Sequence, residues 1–221
     1  MDRYGVDSMA GELRDVAMRR PGAILSADPE AWHYTKPIDA DALTAQFDAF
    51  AELVNAHGAR IHWLEADPDD GLADSVFTYD PSFVIPGGAI ILRPGKPTRL
   101  DEVDVHRAFY EGLMPIVGTI EAPGTVEGGD CFFLDETTIA IGRGFRTNQA
   151  GIEQLTTIAG AHGISVEAFD LPYFHGPDAC LHLLSVVNPL DADLALVHTP
   201  LLPVALHQRM LEMGYQLLEA P

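Results

Sequence analysis

The 221-residue sequence is poor in cysteine, poor in positive charge and free of long apolar runs. Its two cysteines, Cys131 and Cys180, form no CxxC pattern, so neither a disulfide framework nor a zinc knuckle is encoded. No stretch approaches the roughly 18 uninterrupted apolar residues of a membrane span. Charges are scattered through the N-terminal segment, where a secretory signal would carry an apolar core. These absences predict a cytoplasmic protein with no membrane partner. Thirteen Lys and Arg against 33 Asp and Glu leave a net charge of −20. Such a surface repels phosphate backbones and argues against nucleic-acid partners. It suits a cationic small molecule, although a solvated acidic surface needs no ligand to explain it. With 47% hydrophobic and 21% charged residues the composition is that of a globular chain, which argues against general disorder.

What is present is a repeat. Leu43, Phe47, Phe50, Leu53 and Val54 recur at helical spacing and predict a helix over Ala40–Ala56, capped by Asp39 or Asp41 and ended by Gly58. An extended run, Ile61–Glu65, follows it. Comparable junctions stand at Val103–Leu113 into Ile116–Glu121, at Ala161–Gly163 into Ile164–Phe169, and at Met213–Gly214 into Tyr215–Leu218. The acidic residues closing these strands, Glu65, Glu121, Asp170 and Glu219, are 56, 49 and 49 residues apart. Three hairpins are predicted between them. Ser75–Phe83 pairs with Ala89–Leu92, Cys131–Leu134 with Thr138–Ile141, and Leu181–Val187 with Leu194–His198 across Asn188-Pro189. A hairpin–helix–strand unit cannot bury its strands alone, so neighbouring units must share a core. The fold expected is a single α/β domain over residues 1–221, a propeller-like ring with strands inside and helices outside. An ordinary α+β domain is the alternative.

Three segments carry candidate chemistry. In Asp74-Ser75-Val76-Phe77-Thr78-Tyr79-Asp80 an even offset on an extended chain would direct both carboxylates to one face. Paired carboxylates suit a planar, many-donor guanidinium, and they equally suit the two ends of a strand. In Glu121–Asp130 an acidic residue, Glu127, precedes two glycines. Close backbone approach and positive φ there would leave Glu127 facing a cavity, while a plain Gly-rich turn reads the same way. His182 alternates with leucines on an expected inner strand. It is either a satisfied core histidine or a general acid–base. His33, His62, His106, His175 and His198 lack metal-ligand spacing, and no metal is expected. Arg143 and Arg146 sit at a strand-to-helix transition, where exposed arginines are common and anions are also captured.

Taken in series, DSVFTYD, AIILRPG, EAPGTVEGGD, FRTN and CLHLLS, spanning roughly Asp74 to Ser185, resemble the dimethylarginine dimethylaminohydrolase family of the arginine deiminase and amidinotransferase superfamily. The resemblance implies a five-fold pseudosymmetric α/β propeller (pentein-like). It implies hydrolysis at the guanidino carbon of arginine or an N-methylated arginine, giving citrulline and an amine through a covalent cysteine intermediate, with no cofactor. Glu127 and Asp80 would grip the guanidinium, and His182 would protonate the departing amine and then activate water. Asp74 matches a substrate-binding acidic position, and Arg93 and Arg146 match arginines that hold a carboxylate. Tyr79 departs from the pattern, which carries an acidic residue there. The family's nucleophilic cysteine belongs to the last unit, which Cys131 and Cys180 do not match; both read as small core hydrophobes. The expectation is that a fifth unit of some fifty residues, carrying the nucleophile, is missing after Pro221. A second copy forming a homodimer is the other way to cover the exposed strand edge. An amidinotransferase, an arginine deiminase or dihydrolase, and a non-catalytic guanidino-ligand or protein-binding propeller are the alternative functions.

Overall fold

The computed structural model describes residues 4–220, built from eleven strands and five helices with short 3-10 turns between them. The predicted helix is helix α2, Ala40–Ala56, and the Asp39 carboxylate caps it by accepting the Ala42 N–H at 3.0 Å. It follows strand β1 (Asp15–Met18) and the one-turn helix α1 (Pro29–Trp32), and it leads to β2 (Arg60–Trp63), which runs parallel to β1. Only Ala51 of α2 is buried; Phe50 and Leu53 of the expected apolar stripe are each 56% exposed.

The next three units repeat one pattern, an antiparallel hairpin whose second strand also pairs in parallel with a strand beyond a helix. Strands β3 (Ser82–Ile85) and β4 (Gly88–Ile91) are followed by helix α3 (Glu102–Glu111) and β5 (Ile116–Thr119). Strands β6 (Cys131–Asp135) and β7 (Thr138–Arg143) are followed by α4 (Gln149–Gly160) and β8 (Ser165–Asp170). Strands β9 (Val187–Asp191) and β10 (Leu194–Val197) are followed by α5 (Val204–Glu212) and β11 (Gln216–Glu219). In each sheet the second hairpin strand is central. The helix–strand junctions thus fall where the repeat places them, although among the four closing acids only Asp170 and Glu219 lie within strands.

Two hairpins differ from expectation. The first begins at Ser82 rather than Ser75, because residues 73–76 form a 3-10 turn. The carbonyls of Asp74 and Phe77 point at the Arg99 guanidinium instead of a neighbouring strand. The third hairpin turns at Ala192-Asp193, not at Asn188-Pro189. Pro189 is inside β9, an edge strand, where a missing N–H costs no ladder bond. His182 is therefore on no strand; it precedes the short turn Leu183–Ser185.

Alternation along β6 organises the interior. Cys131 and Phe133 enter a core cluster shared with Phe83, Ile90, Ile139, Ile141 and Leu155, while Phe132 and Leu134 enter a second cluster with Leu183, Val187, Leu206 and Met210. Each face of one strand thus serves a different neighbouring unit. Asn148 fixes the start of α4: its Oδ1 accepts the Gly151 N–H at 2.8 Å and the Thr125 N–H at 3.1 Å, and its Nδ2 donates to the Pro123 carbonyl at 2.9 Å. It caps the helix and holds the loop that delivers Glu127. Asn148→Ala is expected to lower unfolding free energy by about 1–2 kcal/mol, read from urea unfolding midpoints. A loss indistinguishable from zero would show the loop held by other contacts.

Candidate active site

Glu127 and its two glycines lie where the loop before β6 passes under the segment before β3. A Cβ on Gly128 would overlap the carbonyl oxygen of Tyr79, and one on Gly129 would lie 2.6 Å from His182 Cδ2 and 3.0 Å from Asp80 Oδ1. The glycines are required for close approach. Positive φ, the other expected reason, is absent at both positions.

That approach gathers Asp80, Glu127 and His182, whose donor atoms lie within 4.8 Å of one another. His182 Nε2 is 3.3 Å from Glu127 Oε2 and 3.6 Å from Asp80 Oδ1, and its Nδ1 is 3.2 Å from Asp130 Oδ1. This last contact has ion-pair distance without hydrogen-bond alignment, since Nδ1 makes no hydrogen bond. Asp130 is itself fixed by the Thr147 hydroxyl at 2.6 Å and the Leu183 N–H at 3.1 Å. Glu127 Oε1 accepts the N–H groups of Gly95 (2.9 Å) and Lys96 (3.0 Å), and Arg146 Nη1 stands 3.7 Å away. Asp80 accepts the Gly129 N–H at 2.9 Å and Arg99 Nη1 at 2.5 Å.

Electrostatics follow from burial and neighbours. Burial raises the Asp80 carboxyl, but the charges of His182 and Arg99 outweigh it, and the net shift is downward. Burial and the adjacent Asp80 push Glu127 up, against the pull of His182 and Arg146. Burial alone would lower His182; contacts with Asp130 and Cys180 and the charges of Asp130 and Asp80 reverse this and carry it up to about 11. The ring is therefore an imidazolium at neutral pH. The three side chains are spaced closely enough to surround a metal ion, which would have to displace the ring proton to bind His182. Its proton also links stability to pH. The contribution is complete below the ordinary histidine value near 6.5 and is lost as pH rises toward 11. Unfolding free energy should fall between pH 7 and 10 by on the order of 2–4 kcal/mol more than in His182→Gln. Parallel pH profiles for the two proteins would contradict this.

The other candidates surround the cluster at different depths. Arg146 is buried beside Glu127, with its Nε unpartnered. Arg93 is half-buried and donates to the Gly124 carbonyl at 3.4 Å. Asp74 does not share a strand face with Asp80. It sits in the 3-10 turn, accepting from Tyr34 Oη at 2.7 Å and Lys96 Nζ at 2.6 Å. The turn is held by buried Arg19, which donates to Ser75, to Asp70 at 2.5 Å and to the Glu65 carbonyl at 2.7 Å. Tyr79 is partly exposed, its hydroxyl donating to the Cys131 carbonyl at 3.3 Å. Cys131 is a core residue as expected, its thiol pushed well up by burial. Cys180 is not: it is exposed, in the loop leading to His182.

Sequence reasoning passed over Arg99, Glu102 and Asp130. Arg99 donates to both oxygens of Glu102, at 2.7 to 3.1 Å, as well as to Asp80. The i, i+3 spacing of Arg99 and Glu102 was the available signal.

Comparison with known proteins bears on the family and the fold. Residues 69–218 match the arginine deiminase family model. A dimethylarginine dimethylaminohydrolase of Streptomyces coelicolor is 34% identical over 187 residues, covering 85% of this chain and 69% of that protein. One from Pseudomonas aeruginosa is 35% identical over 157 residues, 69% of this chain and 59% of the relative. A solved cysteine-to-serine variant of a P. aeruginosa dimethylarginine dimethylaminohydrolase, complexed with citrulline, superposes with a TM-score of 0.71 at 22% identity, covering 95% of this chain and 92% of that one. The α/β fold, the matched family model and the shared sequence place the chain in the dimethylarginine dimethylaminohydrolase family, within the arginine deiminase group of guanidino-modifying proteins.

Proposed function

We propose that this protein is an amidine hydrolase that cleaves the guanidino carbon–nitrogen bond of arginine or an N-methylated arginine, yielding citrulline and an amine. The observation that carries this reading is the buried cluster of Asp80, Glu127 and imidazolium His182. Two carboxylates would bind and orient a guanidinium through charge-assisted hydrogen bonds. His182, protonated and held by Asp130, would give its proton to the departing amine and then take one from the attacking water. Arg146 and Arg93 would hold a substrate carboxylate, and Asp74 would border the same cleft. The chemistry calls for a cysteine thiolate that attacks the guanidino carbon to form a thiouronium intermediate. Cys131 is not assigned that role, because its thiol is wholly buried and pushed well up. In the proposed architecture this chain contributes one catalytic domain of a five-fold α/β propeller. No cofactor enters the scheme.

The test is to supply the protein, expressed from its complete reading frame, with arginine and with asymmetric dimethylarginine, and to quantify citrulline, ammonia and dimethylamine. Citrulline with a matching amount of one amine is expected. Absence of citrulline from both substrates would overturn the proposal.

A further inference from the structure

We infer that Lys96 occupies the place of a ligand ammonium beside Asp74, so that the cleft binds guanidino compounds with an anionic tail and no free ammonium group, such as an ω-guanidino acid or an Nα-acylated arginine, at least as tightly as arginine. The inference rests on the guanidinium reading above and concerns the other end of the same ligand.

It starts from the charges around the clamp. A carboxylate beside the clamp that could pair with a second ligand cation is Asp74, and both its oxygens are taken. Oδ1 accepts from the Tyr34 hydroxyl and Oδ2 from the Lys96 ammonium, in a pair whose side chains are 9% and 12% exposed. Lys96 is further seated by the Trp32 carbonyl at 3.0 Å, and its ammonium lies 5.0 Å from the Trp32 ring centroid. The backbone N–H of Lys96 donates to Glu127. One residue thus reaches from the guanidinium clamp to Asp74, and its ammonium stands where a ligand ammonium bound by Asp74 would stand. Displacing it would leave a buried cation unpaired.

The cations beside the clamp carry the opposite sign. Arg146 is buried, its Nη1 3.7 Å from Glu127 and its Nε without a hydrogen-bond partner among the described residues, and half-buried Arg93 donates to the Gly124 carbonyl at 3.4 Å. Arg146 also lines a cavity of about 280 Å³ walled by Phe145, Leu171, Pro172 and Tyr173. An anionic tail meets Arg146 there, and an acyl substituent in place of the ammonium finds an apolar wall.

Calorimetric titration of the protein with arginine, 5-guanidinopentanoate and Nα-acetylarginine tests this. The two ligands without a free ammonium should bind at least as tightly as arginine. Lys96→Met, which frees Asp74, should shift the ratio of arginine to 5-guanidinopentanoate affinity about tenfold toward arginine. Arginine binding ten times more tightly than both others in the unaltered protein would overturn the inference while leaving the guanidinium reading intact. Binding of none of the three would overturn both. The comparison among ligands in the unaltered protein decides the matter even if the variant fails to fold.

Discussion

Arg99→Met is expected to lower the unfolding free energy by about 3–5 kcal/mol, the usual cost of removing one partner from a buried ionic group. Arg99 is 4% exposed and donates to Asp80, to both oxygens of Glu102 and to the carbonyls of Asp74 and Phe77. Methionine fills similar volume but leaves two carboxylates without this cation, Glu102 among them with no exposed surface. Arg99→Lys should recover little, because one ammonium cannot serve acceptors spread around a planar fork. The deficit should shrink as pH falls from 9 to 6, since burial carries Glu102 up to about 7 even against the pull of Arg99, and a stranded Glu102 lies higher still and loses its penalty on taking up a proton. Urea unfolding at both pH values reads this. A deficit below about 1 kcal/mol at pH 7 would show that the pair has the weight of a surface salt bridge.

Glu127→Gln is expected to weaken guanidino-ligand binding about thirtyfold to a hundredfold, corresponding to loss of a hydrogen bond to a charged group. Glutamine keeps the shape and can still accept the Gly95 and Lys96 N–H groups. What it removes is the charge facing the ligand and His182. Because the acceptors that hold the loop persist, stability should change by less than affinity does. Calorimetry on both proteins, paired with unfolding curves, separates the two effects. An affinity within threefold of the unaltered protein would mean that Asp80 alone carries the guanidinium.

The sequence was most readable where one local rule acted alone. The bounds of α2 and its capping by Asp39 are set by neighbours in the chain and stand as expected, while the second hairpin turns one residue later than expected, at Glu136-Thr137. Reading failed where a distant side chain intervened. Residues 73–77 carry β-branched and aromatic character suited to a strand, yet Arg99 draws their carbonyls inward and the strand starts at Ser82. Pro189 looked like a turn because edge position is a property of the sheet, not of the residue. Glu127, Asp80 and His182 were noticeable as acids or a histidine in unusual company, but their convergence depends on loops 47 and 55 positions apart. Arg99 had only its i, i+3 spacing to Glu102 as a signal; otherwise it resembles any loop arginine, and it also pairs with an aspartate 19 residues earlier.

The two-sided burial of β6 also bears on how the molecule opens. Since Cys131 and Phe133 belong to one core cluster and Phe132 and Leu134 to the other, this strand cannot be released without exposing both. Local openings at α2, whose Phe50 and Leu53 already face solvent, leave both clusters whole. Amide hydrogen exchange should therefore be slowest in β6 and β7 and fastest around α2, a gradient of protection across one continuous chain.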